Sequence, residues 1–237
     1  MISYYFILII IIITLLIINF KLESISKKLA IYDRPDNLRK FHKNTTPVIG
    51  WIHIFISLVF LLIFSFIDKE NTIYKSSIFE IYNEEYIRAY ISLFIGAFSI
   101  FFIGVYDDKH NVPATKKSLI LIGILYLLIN FDKSLIPNEI YFDYFDYVVY
   151  LENFAVPFTI LSIFFLINSL NLYDGTNLQS GVFLSFVYVI LILKGIFSEF
   201  FLIILISNLF FIYKNYNGKL FYGDAGIFLN SYLISYF

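Results

Sequence analysis

The chain has no cysteine, so disulfides, thiolate nucleophiles and cysteine-ligated zinc are all excluded. Charge is scarce too: Asp, Glu, Lys and Arg make up 15% of 237 residues, against roughly a quarter in average soluble chains. The signs nearly cancel, at −1 overall, so the placement of charge carries the information, and no nucleic-acid partner is expected. The first apolar stretch lacks a charged leading region and a small-residue cleavage site, and it reads as a retained helix rather than a signal peptide. No soluble domain, long linker or clear internal repeat stands out, which predicts one membrane domain over residues 1–237.

What is there is largely apolar: 59% of residues are hydrophobic and 21% aromatic, with mean hydropathy +0.79. A helix needs about 20 mostly apolar residues to cross the hydrocarbon core of a bilayer. Runs of that kind fall near residues 2–22, 51–67, 88–106, 117–131, 154–170, 179–194 and 198–213, with an eighth starting near 225. The expected fold is therefore an all-α, polytopic integral membrane bundle of seven to eight spans. The Tyr- and Val-rich segment Tyr141–Tyr150 is expected to form a short hairpin between two of them.

Basic residues favour the cytoplasmic side of a membrane. Lys27, Lys28, Arg34, Arg39, Lys40 and Lys43 cluster in the loop 23–50, Lys109, Lys116 and Lys117 follow the third span, and Lys214 and Lys219 follow the seventh. The alternate loops carry Asp68, Glu70, Glu80, Glu84 and Glu85, then Asp132, Glu139, Asp143, Asp146 and Glu152. This pattern predicts the N-terminus outside a multi-pass plasma-membrane protein.

Four polar segments interrupt the apolar chain, and each combines residues suited to a phosphate or a divalent metal. They are Asp33-Arg34-Pro35 through Arg39-Lys40-Phe41-His42, Gly104–Asp108, Asn168–Gly175 and Phe221–Gly226. All four fall on the predicted cytoplasmic face, which points to one composite site for phosphate chemistry at the membrane surface. Asp107 and Asp108 end an apolar helix, where adjacent carboxylates point apart and suit two jobs; an isolated Asp-Asp is more often a solvated helix terminus. Lys117 could reach back toward a diphosphate or simply snorkel to the interface. Asn168, Asn171, Asp174 and Asn177 drift round one helix face at three-residue spacing. Their oxygens suit Mg²⁺, although an Asn ladder gluing helices together is the plainer alternative. Gly223-Asp224-Ala225-Gly226 opens the last apolar segment, where a helix start accepts phosphate. Asp224 would repel that anion unless a cation intervened, which makes it a metal-ligand candidate. Phe221 could stack on a base or sit at the interface as an aromatic anchor. The basic run of Arg39, Lys40 and His42 reads alone as a topology and anionic-lipid determinant.

In order and spacing, these segments resemble the polyprenyl-phosphate N-acetylhexosamine-1-phosphate transferases of glycosyltransferase family 4, over nearly the whole chain from Asp33 to Phe237. The resemblance rests on Asp33-Arg34-Pro35, Arg39-Lys40-Phe41-His42, Pro47–Gly50, Asp107-Asp108, Asn168–Asn171 with Asp174-Gly175, and Phe221–Gly226. It implies transfer of a sugar-1-phosphate, N-acetylglucosamine-1-phosphate by default, from a UDP-sugar to polyprenyl (undecaprenyl) phosphate. UMP would be released, and Mg²⁺, with Mn²⁺ as a substitute, would be required. That reaction would be the first membrane step of cell-surface polysaccharide synthesis. By the same resemblance, Asp224 and Asn171 would hold the metal and Lys117 would contact the diphosphate. Phe221 and Asn177 would recognise uracil, and Asn168, Asp174 and Gly223 would complete the substrate site. Asp107 and Asp108 would form the catalytic pair, while Arg39, Lys40 and His42 would meet the lipid phosphate or anionic lipid. Direct attack by the lipid phosphate and a covalent aspartyl intermediate both remain open.

The chain departs from the family pattern at Asn177-Leu178, where Asp-Gly is usual, at Trp51 for a second glycine after the early proline, and at Ile227 for serine. Family members also run on past Phe237 through further helices and a basic, histidine-containing loop. The expectation is thus a fragment or a degenerate copy, with an inactive membrane partner as the alternative function. A transporter is disfavoured, because the acids cluster at one face rather than near span centres.

Overall fold

The computed structural model describes residues 4–35, 45–67 and 84–237. Among these residues eight α-helices dominate: α1 (Tyr4–Leu29), α2 (Trp51–Ile67), α3 (Glu84–His110), α4 (Ala114–Phe131), α5 (Ala155–Tyr173), α6 (Gln179–Leu193), α7 (Ser198–Tyr216) and α8 (Gly223–Tyr236). Two antiparallel pairs accompany them, β1 (Tyr32–Asp33) with β2 (Thr46–Pro47), and β3 (Glu139–Phe142) with β4 (Tyr147–Tyr150). The predicted all-α membrane bundle is thus observed, and the Tyr/Val segment does form a hairpin.

Among the described residues, five helices are long and apolar enough to cross a bilayer: α1, α4, α7, Arg88–His110 within α3, and the Glu152–Tyr173 stretch containing α5. The apolar helices Trp51–Ser65 and Gln179–Leu193 are shorter, and α8 has 14 residues, so the expected seven to eight full spans resolve into five long helices and three short ones. Helices also overrun the predicted spans. α1 continues to Leu29 through Lys21, Glu23, Lys27 and Lys28, because a helix satisfies its own backbone as well above the apolar slab as within it.

The shortest of these helices lies deepest. Every residue of α8 from Ala225 to Leu233 is buried, packed chiefly against α3 and also against α5 and α2. A helix that is apolar all round is a core helix, and α8 is the axis of this bundle. Its polar side chains bond inward: the Tyr188 hydroxyl donates to Asn230 Oδ1, and Asn230 Nδ2 donates to the Gly226 carbonyl at 2.7 Å. Beside it, the Tyr222 hydroxyl donates to Asn208 Oδ1, while Asn208 Nδ2 donates to the Gly181 carbonyl and Ser185 Oγ, both at 2.8 Å. Interhelical hydrogen bonds of this kind replace the hydrophobic drive that lipid removes.

Gly104 makes the closest crossing. A Cβ there would lie 2.4 Å from Ala225 Cα and 2.5 Å from Ala225 N, so α3 and α8 meet backbone to backbone. The position after the early proline is equally tight with its single glycine. A Cβ on Gly50 would meet the Phe211 ring at 2.6 Å and the Phe221 carbonyl at 2.7 Å, while Trp51 packs edge-on against Phe101 with centroids 5.0 Å apart.

Candidate active site

The start of α8 is the hub on which the polar segments converge. Gly223 adopts φ +73°, and a Cβ there would fall 2.4 Å from Val48 Cγ1 and 2.6 Å from Asp108 Oδ2. A side chain is excluded both by the left-handed backbone and by these neighbours. The flank of the first segment docks alongside: Phe221 N–H donates to the Pro47 carbonyl at 3.0 Å, and Gly50 N–H donates to the Phe221 carbonyl at 2.8 Å. Phe221 is half-buried in this strap. Arg39, Lys40 and His42 lie outside the described residues.

The two adjacent carboxylates at the end of α3 do point apart. Asp108 faces α8, where the N–H of Asp224 donates to its Oδ1 at 2.8 Å and the N–H of Ala225 to its Oδ2 at 3.1 Å. It caps that helix from 116 residues away, satisfying N–H groups that have no intrahelical partner. Asp107 faces α4. The Val112 N–H donates to its Oδ1 at 2.7 Å, closing the turn between α3 and α4, and Lys117 Nζ lies 2.6 Å from its Oδ2.

Lys117 is the centre of the charge arrangement. Its ammonium also lies 2.7 Å from Asp224 Oδ2, and with 15% of its side chain exposed it bridges two carboxylates on different helices. Asn171 Nδ2 approaches the same Asp224 oxygen at 3.4 Å. Two carboxylates, Asp107 and Asp224, therefore share this ammonium, while Asp108 stands apart on the backbone N–H groups of α8. The donors fit Mg²⁺ or Mn²⁺. Such ions use one or two carboxylates and complete their shell with water and substrate phosphate oxygens, so a full protein cage is not needed.

The remaining candidates separate. Asn168 and Asn171 lie on α5, but Asn168 Nδ2 donates to the Phe164 carbonyl of its own helix at 2.7 Å. Asp174 stands just past the end of α5 and accepts from Ser180 Oγ at the start of α6. Burial raises its carboxyl above the ordinary range, and the Ser180 bond partly offsets that. Asn177 is exposed on the lining of an open groove of about 500 Å³ with Tyr173, Gln179, Val182 and Phe186. Of the four residues at three-residue spacing, Asn171 is the one bonded to Asp224.

Two supporting residues were given no role by the sequence: Gly104, quoted only as the start of its segment, and Asn215. Gly104 stands four residues before Asp108, at a helical spacing that marks it as the same face. Asn215 is buried and ties two loops, accepting from Leu178 N–H at 2.5 Å and donating to the Leu220 carbonyl at 2.8 Å. No pattern around Asn215 announces that role.

A helical membrane bundle with a lysine-bridged pair of carboxylates at one end defines the class as a polytopic membrane protein. Residues 90–237 match the family model described as glycosyl transferase family 4, and the chain belongs to that family. It is also 29% identical over 234 residues to a protein of Bacillus subtilis (strain 168) named "Probable undecaprenyl-phosphate N-acetylglucosaminyl 1-phosphate transferase". That similarity covers 94% of this chain and 58% of the relative, so the chain spans little more than half of the relative's length.

Proposed function

We propose that this chain is the site-bearing part of a transferase that moves N-acetylhexosamine-1-phosphate, N-acetylglucosamine-1-phosphate by preference, from a UDP-sugar to polyprenyl phosphate. The acceptor is undecaprenyl phosphate, as in the name of the Bacillus relative. The reaction is the first membrane step of cell-surface polysaccharide synthesis, in the plasma membrane with the N-terminus outside and the site on the cytoplasmic face. The observation that carries this reading is the Asp107–Lys117–Asp224 bridge, which joins the ends of three helices beside a capped helix start.

Phosphoryl transfer asks a protein chiefly for positioning and charge neutralisation. Asp224 and Asn171 would hold Mg²⁺, or Mn²⁺ in its place. When bound, that ion polarises the diphosphate and relieves repulsion between two anionic substrates. Lys117 presents its ammonium to the diphosphate as a point charge. Asp107 orients the lipid phosphate and accepts a proton from it where one is present. A lipid phosphate oxygen then bonds to the β-phosphorus, the bond from that phosphorus to the α–β bridging oxygen breaks, and UMP leaves with the bridging oxygen. Asp108, with both oxygens engaged on α8, keeps Asp224 in place during this exchange. Phe221 and Asn177 flank the uracil, and Gly223 leaves room at the helix start. Asn168 and Asp174 shape the neighbouring end of α5. Arg39, Lys40 and His42 meet the lipid phosphate.

Membranes carrying the chain, supplied with radiolabelled UDP-N-acetylglucosamine, polyprenyl phosphate and Mg²⁺, test this directly. Label entering lipid, dependent on Mg²⁺ and abolished by Asp224→Ala, is the expected result. No label and no UDP-sugar binding, while a full-length relative works in the same membranes, would favour an inactive binding or assembly partner instead.

A further inference from the structure

The β3–β4 hairpin lies at the end of the bundle opposite the acidic cluster, since α4 and α5 both have their other ends at that cluster. Its root is firmly held. Asp132, buried at the end of α4, accepts from Ser134 N–H at 3.0 Å, from Ser134 Oγ at 2.6 Å, from Ser92 Oγ on α3 and from the Tyr236 hydroxyl on α8 at 3.1 Å. Leu151 N–H closes the base onto the Asn138 carbonyl at 2.9 Å. Beyond that root, the strands pair mainly with each other, in the register Glu139 opposite Tyr150 through Phe142 opposite Tyr147.

A lone two-stranded hairpin is marginal in water and needs a third layer. This one nevertheless exposes Tyr141, Phe142, Tyr144, Phe145, Tyr147 and Tyr150, with Tyr144 92% and Phe145 74% accessible at the tip. Leu127 and Phe131 near the end of α4, and Phe154 and Phe158 at the start of the α5 stretch, are likewise exposed, on the two candidate spans that flank the hairpin in the chain. Tyrosine and other amphipathic aromatics concentrate at the level of lipid headgroups. Strand length fixes the posture: four residues span about 13 Å, whereas the headgroup layer on each face is only about 5–8 Å thick. A hairpin standing upright would carry its tip through that layer into water.

We propose that the hairpin lies along the bilayer surface on the side opposite the acidic cluster, with Tyr144 and Phe145 sunk into the headgroup layer as its missing third layer. Asp143 and Asp146 flank the pair and stay in headgroup water, Asp146 accepting the Tyr141 hydroxyl at 2.6 Å. The hairpin thereby fixes the depth at which α4 and α5 sit.

Because the chain has no cysteine, one introduced thiol can be labelled uniquely. The full chain carrying Phe145→Cys is labelled with a polarity-sensitive fluorophore and reconstituted in phosphatidylethanolamine/phosphatidylglycerol vesicles. Emission shifted to the blue of the same dye on a free thiol in buffer, with quenching by lipids nitroxide-labelled near the headgroup and little by iodide, is expected. Hydrogen exchange supplies the second reading. Amides of Glu139–Tyr150 should be protected in vesicles and lose that protection in the Tyr144→Ser/Phe145→Ser double variant, while α3 and α8 stay protected. Water-like emission with full iodide quenching would overturn the proposal. So would a probe that is aqueous in vesicles of the pure protein yet shielded in native membranes, because that assigns the surface to a protein partner.

Discussion

Gly104→Ala is the most searching perturbation of the site, because it acts without touching a charged group. The new Cβ would lie 2.4 Å from Ala225 Cα, 2.5 Å from Ala225 N and 2.8 Å from the Asp224 carbonyl carbon. Carbon atoms settle at about 3.5–4.0 Å, so α3 and α8 must part by roughly 1 Å. The contacts that would stretch are the ones holding the site. The Asp224 N–H to Asp108 bond, 2.8 Å in the native protein, would open to about 3.8 Å, beyond useful hydrogen-bond range. Overpacking of this kind costs about 1–3 kcal/mol, and losing the cap about 1 kcal/mol more. For a chain of this size, roughly 3 kcal/mol corresponds to a fall in Tm of about 6–12 °C. Thermal unfolding in detergent can be followed through Trp51, the single tryptophan, which packs on Phe101 of α3. In membranes that show transfer, a displacement near 1 Å should lower the rate about 100-fold. Two controls isolate the cause. Ala225→Gly should not rescue the variant, because the obstructing atoms are backbone. Gly123→Ala on α4, where nothing lies within 4 Å of an added Cβ, should be neutral or stabilising by up to about 1 kcal/mol. If Gly104→Ala unfolds like Gly123→Ala and leaves transfer unchanged, α3 and α8 do not cross as described.

Lys117→Met keeps the aliphatic stem but leaves Asp107 and Asp224 facing each other without their shared cation, at a cost of about 3 kcal/mol. Added Mg²⁺ or Mn²⁺ should then raise the variant's Tm more than the wild type's, and an equal response would refute the bridging role. Asp108→Ala should lower Tm by the loss of both cap bonds, while Asp108→Asn, which keeps one acceptor, should fall in between. Equal Tm values for the two would remove Asp108 from the capping role. Asp174 tests a sign. Its pKa is raised by burial, so between the ordinary carboxylate range and the raised value the native state holds a proton that the unfolded state has lost, and stability falls as pH rises through that window. Asp174→Asn should therefore flatten this decline, making the variant relatively more stable at neutral than at acid pH; parallel Tm–pH curves would contradict it.

Helix positions were legible because they depend on local composition: the apolar runs near 51–67, 117–131 and 179–194 each emerge within a few residues of α2, α4 and α6. The rank of those helices was not legible. At 14 residues α8 is too short to cross a bilayer, yet its apolar sequence suits a helix surrounded by protein rather than lipid. Local periodicity also misled at Asn168, Asn171, Asp174 and Asn177. Asn168, a neighbour of Asn171 on the helix, bonds the Phe164 carbonyl of its own helix instead of Asp224. The helix then ends at Tyr173 before the last two positions. The Asp107–Asp108 pair was legible in part. Adjacent positions about 100° apart cannot share a partner, but that their partners would be Lys117 and the start of α8 depends on contacts up to 117 residues away.

Those distant contacts explain why a short central helix can hold a site steady. α8 and α3 are antiparallel and joined at both ends. Asp108 grips the first N–H groups of α8, while the Tyr232 hydroxyl donates to the Ser92 carbonyl at 3.2 Å and the Tyr236 hydroxyl donates to the Ala89 carbonyl, near the start of α3. Between these ends, Gly104 sets the separation by backbone contact. Sliding α8 toward either end stretches one set of bonds as it compresses the other, and rotating it drives Ala225 into α3. The position of Asp224 is thus fixed along, around and away from the helix axis by three independent features of α3. None of them uses the side-chain atoms of Asp224, so that carboxylate remains available to Lys117 and Asn171.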